Sequence, residues 1–302
     1  MRLLVYTAGA SDDGRAVRDV IRDEFHLVAH DIARAKYSTP GGIAVNGETC
    51  LVNRILREGD RLTVKLLCEM PEKTVPVEGP LDILYEDEDL IALNKPPGIV
   101  VHPSHGHFGD TLGNYLAHYF IRKGEPHEIR TTGRLDKDTS GVLVFGKSRT
   151  ACAILMGQNG PKAMEKEYLA LAGGFFEEAE GVIDAPISRE YEDKIRRVVR
   201  PDGDHAFTSY RVLRQFDGFA LVLVKIETGR THQIRVHMAH IGHDLIGDPI
   251  YGDPERPGEI GAADPGRALL HAWRVRFKRP FSDEEVALEA PLPEDMRRVM
   301  GI

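Results

Sequence analysis

Three segments of this chain carry residue types that could share one chemical step. Gly133-Arg134-Leu135-Asp136-Lys137-Asp138-Thr139-Ser140-Gly141 sets a carboxylate beside an arginine in a polar turn, just before the apolar run Val142–Phe145. Lys166-Glu167-Tyr168-Leu169-Ala170 takes a tyrosine into a predicted strand among charges. Thr228 to His237 reads as a turn leading into a helix, with Arg235 inside it. An acid, a tyrosine and an arginine suit a site that works through one ionised carboxylate. Arg235 close to Asp136 would favour the charged form and hold it in place. A tyrosine can stack on a planar ring and still exchange a proton. The same residues would serve equally as a buried ion pair and an interfacial tyrosine. Spacing alone leaves both readings open.

The elements that must position these residues follow from periodicity. Strands are predicted at Leu90–Leu93, Val142–Phe145, Tyr168–Leu171, Phe207–Val212 and Phe219–Ile226. Helices are predicted at Thr111–Ile121, Ser148–Met156 and Thr231–Ile241. In the last of these Thr231 would cap, Ile234, Met238 and Ile241 would form the buried stripe, and Arg235 would lie at its boundary. The intervening loops Pro96–Gly109 and Gly252–Arg267 are long, as functional loops often are. Strands often follow strands, so an α+β fold fits better than a doubly wound parallel sheet.

Toward the N-terminus, Val17, Val20, Ile21 and Phe25 make one helical stripe, and Ile32, Ala33 and Lys36 suggest a second short helix. Ile43-Ala44-Val45 then runs into Asn46-Gly47, a tight-turn signal, and Leu62–Leu66 alternates as a strand. This predicts a small domain over residues 1–70. Pro71, Pro76, Gly79 and Pro80 mark a linker over 71–80, and a larger domain would fill 81–302.

The chain of 302 residues is 42% hydrophobic and 28% charged, a soluble globular composition. Cys50, Cys68 and Cys152 are too scattered for a disulfide framework or a thiolate metal site. Leu3-Leu4-Val5-Tyr6 is too short for a signal peptide, and no run approaches membrane-spanning length, so no membrane partner and a cytoplasmic location are expected. The net charge of −8 argues weakly against nucleic acid. Phosphates respond to local patches, however, and two basic clusters exist. They are Lys194, Arg196, Arg197 and Arg200, and Arg274, Arg276, Lys278 and Arg279, the latter alternating as on one face of a strand. A solvated charged face explains either cluster equally well.

Taken in order, the three segments resemble the RluA-type pseudouridine synthase family, in its aspartate signature, its tyrosine segment and its arginine helix. Asn94-Lys95-Pro96-Pro97-Gly98-Ile99-Val100-Val101-His102-Pro103 and Leu245-Ile246-Gly247-Asp248-Pro249-Ile250-Tyr251-Gly252 are similar to two further family segments. The resemblance runs from about Leu81 to the C-terminus. Residues Asp13–Leu67 are similar to the small ribosomal-protein-type (alpha-L) RNA-binding module that often precedes that domain. The resemblance implies a mixed, mainly antiparallel sheet with flanking helices, preceded by a small α/β domain. It makes Asp136 the catalytic aspartate, and Arg134 the side chain that fills the stack when the target base flips out. Tyr168 becomes the residue that packs on the uracil and a candidate proton acceptor from carbon five. Arg235 becomes the ion-pair partner of Asp136.

Lys95, His102, Thr139, Arg230 and His232 stand in the same segments as RNA contacts. The implied reaction isomerises uridine in RNA without cofactor or metal. Ribosomal RNA of the large subunit is the expected partner in preference to transfer RNA, and a monomer the expected state. Two features depart from the pattern. Gly133 stands where the family usually has histidine, and Asp12, Asp13, Asp19, Asp23, Glu24 and Asp31 make the N-terminal module acidic for an RNA binder.

Rival readings exist. Asp136-Lys137-Asp138-Thr139 also fits the pattern of haloacid-dehalogenase-like phosphatases, with Asp248 and Asp253 mimicking their magnesium acids. That fold requires an apolar strand ending at the first aspartate, whereas here the apolar run follows it. His102, His105 and His107, or His232, His237 and His240, could suggest a metal, but only His237 and His240 share a helix face, and no His-Glu-x-x-His pattern accompanies them. A non-catalytic RNA-binding protein is the third class. Binding alone requires no buried carboxylate facing an anionic ligand.

Overall fold

The structure, a computed structural model, describes residues 2–37, 41–66, 74–104, 106–125, 127, 129–157, 164–191, 195–253 and 265–302. His105, Lys194, Cys68, Pro71 and much of the Gly252–Arg267 loop lie outside the described residues.

The first part of the chain forms β1 (Arg2–Thr7), α1 (Val17–Phe25), α2 (Ala29–Tyr37), β2 (Ile43–Val45), β3 (Glu48–Thr49) and β4 (Arg61–Leu66), with sheet order β1-β4-β2-β3. The stripe Val17, Val20, Ile21 and Phe25 is buried against Val45, Leu62 and Val64, as its period requires. Asn46 and Gly47 both take positive φ, the geometry of a two-residue hairpin turn. Leu3–Tyr6 belongs to β1, an edge strand in which Leu4 is buried while Leu3 and Val5 face outward. The acids of this unit serve it internally. Buried Asp12 accepts from the Tyr6 hydroxyl at 2.7 Å and from Arg15 at 2.7 Å. Asp31 accepts from Thr150 at 2.7 Å, and Arg2 grips Asp89 with two bonds of 3.1 Å, so polar contacts join the unit to the rest of the chain.

A large sheet dominates residues 81–302. Its strands are β5 (Ile83–Glu86), β6 (Leu90–Lys95), β7 (Arg130–Thr131), β8 (Ser140–Gly146), β9 (Met164–Gly173), β10 (Glu180–Asp184), β13 (Phe207–Gln215), β14 (Phe219–Ile226), β15 (Leu270–Lys278) and β16 (Glu285–Glu289). A separate hairpin, β11 (Ile187–Arg189) with β12 (Arg197–Val199), lies beside it. The main order is β10-β13-β14-β9-β15-β8-β6-β5, with β16 on β15 and β7 on β8. Four helices flank it: α3 (Leu112–Arg122), α4 (Arg149–Leu155), α5 (Gln233–His240) and α6 (Glu294–Met300). The fold is α+β with a mixed, mainly antiparallel sheet. Among the described residues no helix is long and apolar enough to cross a membrane.

Both faces of the central strands are covered. In β6, Ile91 and Leu93 join α3 and α5 in one apolar cluster, while Leu90 and Ala92 pack on the opposite face. Tyr168, Ala170 and Ala172 of β9 likewise face α5, and Leu169 and Leu171 face Met296 and Met300 of α6. Such strands read as continuous apolar runs, which is why the sequence located them. Of the strands it did not place, β5, β10 and β16 lie at the margins, partly exposed and with charges among them, whereas β15, central in the sheet, had been signalled only by the alternation of Arg274 and Arg276. Arg274 in β15 is paired with Glu289 at 2.8 Å, and Arg279 just after the strand with Asp87 at 2.9 Å, so acids offset these two members of the basic cluster.

One pairing in the sheet is parallel. β15 runs alongside β8 with His271 opposite Ser140 and Ala272 opposite Gly141, and β9 then places Tyr168 opposite Ala272. Gly141 is required there. Its φ is +109°, and a Cβ would sit 2.1 Å from the Ala272 carbonyl oxygen. His271, fully buried, shares a 2.9 Å bond with the Ser140 hydroxyl. Burial pulls its pKa down to about 4.

A histidine held neutral in the fold stabilises it fully above its unfolded pKa of about 6.5, and that stability is lost as pH falls toward 4. Between pH 7 and 4.5 the loss amounts to about 2 kcal/mol. Guanidinium unfolding at those two pH values should show His271→Gln losing about that much less than the wild type.

Candidate active site

Asp136 lies in the turn that leads into β8, and the strand after it, not before it, fixes its position. That excludes the strand placement on which the phosphatase pattern depends. Leu135 is buried in the core and Arg134 is exposed, so the turn is pinned by one residue and presents its neighbours. Buried groups hold it from behind. Lys95, at the end of β6 and fully buried, donates to the carbonyls of Pro96 (3.0 Å), Lys137 (2.7 Å) and Thr139 (2.8 Å). Burial pulls the Lys95 pKa down to about 7. Three acceptors nonetheless take all three protons, a full set that only the ammonium offers. The Gly98 amide donates to Lys137 at 2.9 Å, and the Thr139 amide closes the turn on the Asp136 carbonyl at 3.2 Å.

The Asp136 carboxylate, about one-quarter exposed, opens into a cleft of about 370 Å³. Tyr168 of β9, Ile234 and Arg235 of α5, Leu270 and the turn residues Thr132–Asp136 wall it. The register across β15 sets this geometry, because Gly141, Ala272 and Tyr168 stand in line over two strand spacings, about 10 Å. Burial, and after it the charge of Asp136, keeps the Tyr168 hydroxyl well above the usual phenol pKa. It therefore faces the cleft as a neutral phenol.

Arg235 is buried, and its nearest contact to Asp136 is 3.9 Å. Its strong partner is Asp248, which accepts from Nε at 2.7 Å and from Nη2 at 2.6 Å. Asp248 is itself fixed by the amides of Ile250 (2.9 Å) and Tyr251 (3.1 Å). The guanidinium lies over the Tyr251 ring at 5.1 Å. Arg235 thus presents one remaining edge to Asp136 while the other is locked. The sequence had assigned Asp136 as its partner. Asp248 was visible only as part of a matching segment and as a rival magnesium acid, although a buried arginine on a helix calls for a buried acid nearby.

The helix begins differently from expectation. Thr231 does not cap it; His232 occupies the cap position with φ 59°, and the Gln233 amide oxygen satisfies the Arg230 amide at 3.0 Å and the Thr228 hydroxyl at 2.8 Å. His232 borders the cleft, bonded through Nδ1 to the Tyr251 hydroxyl at 2.9 Å, and burial holds it below its ordinary pKa, hence neutral. Arg134 and Arg230 stand exposed at the rim of the cleft, which Lys166 also lines, a residue the sequence reading had not selected.

Three of the expected RNA contacts change character. Lys95 is wholly buried and satisfied, so no phosphate can reach it; it is a brace for the turn. His102 does not border the cleft, and its ring meets Phe145 edge-on with a long 3.4 Å contact to Thr131. Thr139 borders the cleft but is only 4% exposed. His237, considered for a metal, has both ring nitrogens occupied by Thr208 and the Ala185 carbonyl at 2.8 Å. Among the described residues no His, Cys, Asp and Glu group converges as a metal site. At Gly133, φ is +152° and a Cβ would meet the Lys166 ammonium at 2.6 Å, so a histidine would displace that lysine from the rim.

Residues 89–240 match the family model described as RNA pseudouridylate synthase. The chain is 40% identical to the uncharacterized RNA pseudouridine synthase YhcT of Bacillus subtilis, covering 85% of this chain and 83% of that one. It is 38% identical to ribosomal large subunit pseudouridine synthase D of Escherichia coli K12, over 86% of this chain and 82% of that one. Among solved structures, human RNA pseudouridylate synthase domain containing 4 superposes with a TM-score of 0.57 at 25% identity, covering 73% of this chain and 92% of that one. A partly exposed aspartate braced from behind, a tyrosine wall and a locked arginine are therefore set in a chain that belongs to the RNA pseudouridylate synthase family and is a pseudouridine synthase.

Proposed function

We propose that this synthase isomerises specific uridines of large-subunit ribosomal RNA, with Asp136 as the reacting carboxylate. The observation that carries the reading is the contrast among the charged groups of the site. Arg235, Asp248 and Lys95 are buried and satisfied, while the Asp136 carboxylate, beside the Tyr168 wall, opens into the cleft with one guanidinium edge 3.9 Å away. A carboxylate that reaches the cleft with few partners of its own is suited to react.

In the reaction the bond between the sugar's anomeric carbon and uracil nitrogen one breaks, the base turns, and carbon five bonds to the anomeric carbon. The proton leaves carbon five and nitrogen one ends protonated. Asp136 either attacks the anomeric carbon or takes a proton from the adjacent sugar carbon; both routes require the ionised form. Tyr168, a neutral phenol, stacks on the flipped base, which suits it less well to accept the carbon-five proton as a phenolate. Arg134, exposed at the rim, fills the gap left in the stack, and Arg230 and Lys166 meet phosphates. Residues 1–70 act as a small RNA-binding domain joined through 71–80 to a catalytic domain at 81–302. The protein works as a cytoplasmic monomer. Ribosomal RNA is favoured because relatives 37–38% identical are named as large-subunit synthases; transfer RNA is the second reading.

Tritium release from RNA labelled at uracil carbon five tests the chemistry. The wild type should release tritium and Asp136→Ala should release none; release by the variant at the wild-type rate would sink the assignment. Mapping pseudouridines in a deletion strain should reveal sites missing from large-subunit ribosomal RNA. Losses confined to transfer RNA would overturn the target. In guanidinium unfolding, Asp136→Ala should stay close to wild type, while Asp248→Asn, which strands buried Arg235, should cost about 3–5 kcal/mol.

A further inference from the structure

We propose that Arg267 and Asp295 are positioning residues for the reaction: an ion pair at the start of the C-terminal helix aims the Asp136 turn by gripping its backbone. The inference rests on the reading of Asp136 as the reacting carboxylate. Neither residue borders the cleft, so neither touches the substrate.

Arg267 is 5% exposed and lies just before β15, as Asp138 lies just before β8. Because those strands are parallel, their lead-ins emerge side by side at one end of the sheet. The Asp295 carboxylate takes Nε at 2.6 Å and Nη2 at 2.9 Å. A planar guanidinium gripped along one edge has its remaining nitrogen aimed. Nη1 is aimed at the carbonyl of Asp138, 2.9 Å away, with the Ala268 carbonyl at 3.1 Å. Lys95 already holds the carbonyls of Lys137 and Thr139. Three consecutive carbonyls after Asp136 therefore end on two buried cations, and the backbone that carries the carboxylate cannot shift without breaking one of these bonds.

The far end of the device is anchored too. Asp295 accepts from the Met296 amide at 2.8 Å, and Met296 is fully buried against Leu169 and Leu171, behind the strand that carries Tyr168. Gly247, adjacent to Asp248, lies so close that a Cβ would sit 2.5 Å from the Arg267 carbonyl oxygen. The brace of the aspartate and the lock on Arg235 thus abut. A lysine at 267 would keep the charge but could not span both Asp295 and Asp138 in one plane.

Single-turnover tritium release with enzyme in excess tests this, alongside RNA affinity and thermal melting. A residue needed only for folding lowers the amplitude with the folded fraction; a positioning residue lowers the rate constant of the folded fraction. Arg267→Lys and Asp295→Asn should lower that rate constant about 10- to 100-fold, as misplacements near 1 Å do. RNA affinity should hold within about twofold, and Asp295→Glu should recover most of the rate. If Asp295→Asn does not fold, Arg267→Lys carries the test, since it retains the buried charge. Wild-type rate constants in the folded variants, or weakened affinity at an unchanged rate, would overturn the inference while Asp136→Ala remained silent. A silent wild type would sink the reading of the reaction and this inference with it.

Discussion

The parallel pairing of β8 with β15 is the constraint on which the rest of the structure depends. In an antiparallel neighbourhood, adjacent strands begin at opposite ends. One parallel pair inside such a sheet brings two strand beginnings together, and here those carry Asp138 and Arg267. The antiparallel step from β15 to β9 then sets Tyr168 across from the same point. Close approach of the two parallel backbones excludes any side chain at Gly141. The acid, its brace and the tyrosine wall are thus consequences of one register.

Electrostatics follows from that frame. Burying an ion costs several kcal/mol unless partners replace its water, and every buried charge around the cleft has them. Asp248 takes Arg235, Asp295 takes Arg267, and backbone carbonyls take Lys95. These groups add little net stability compared with apolar packing, but they restrict the turn to one conformation. Asp136 keeps solvent contact, with the nearest guanidinium nitrogen of Arg235 3.9 Å away. The sheet therefore concentrates its rigidity behind the residue that has room to react.

Much of the fold was legible because strands buried on both faces leave runs such as Val142–Phe145 and Phe219–Ile226 with turn residues on either side. The strand β10, with Val182 outward and Glu180 and Asp184 in water, leaves no such mark. The short helix α6 was also hidden, since its buried methionines Met296 and Met300 have meaning only against Leu169 and Leu171. At the site, Asp136, Tyr168 and Arg235 were found in sequence and converge in one cleft. Lys95 was taken for an RNA contact on the resemblance of its segment, which does not show that its side chain turns inward onto three carbonyls.

Sequence alone determined the residue types, their order and the apolar strand behind Asp136, because these are local patterns with short-range causes. Tertiary structure alone decided the partnerships. Asp248 pairs with Arg235, Arg267 with Asp295, and Lys95 turns inward, all across long separations in the chain. A charge pattern states how many ions must be neutralised, while sheet register and burial select which opposite charge or carbonyl comes within 3 Å to do so.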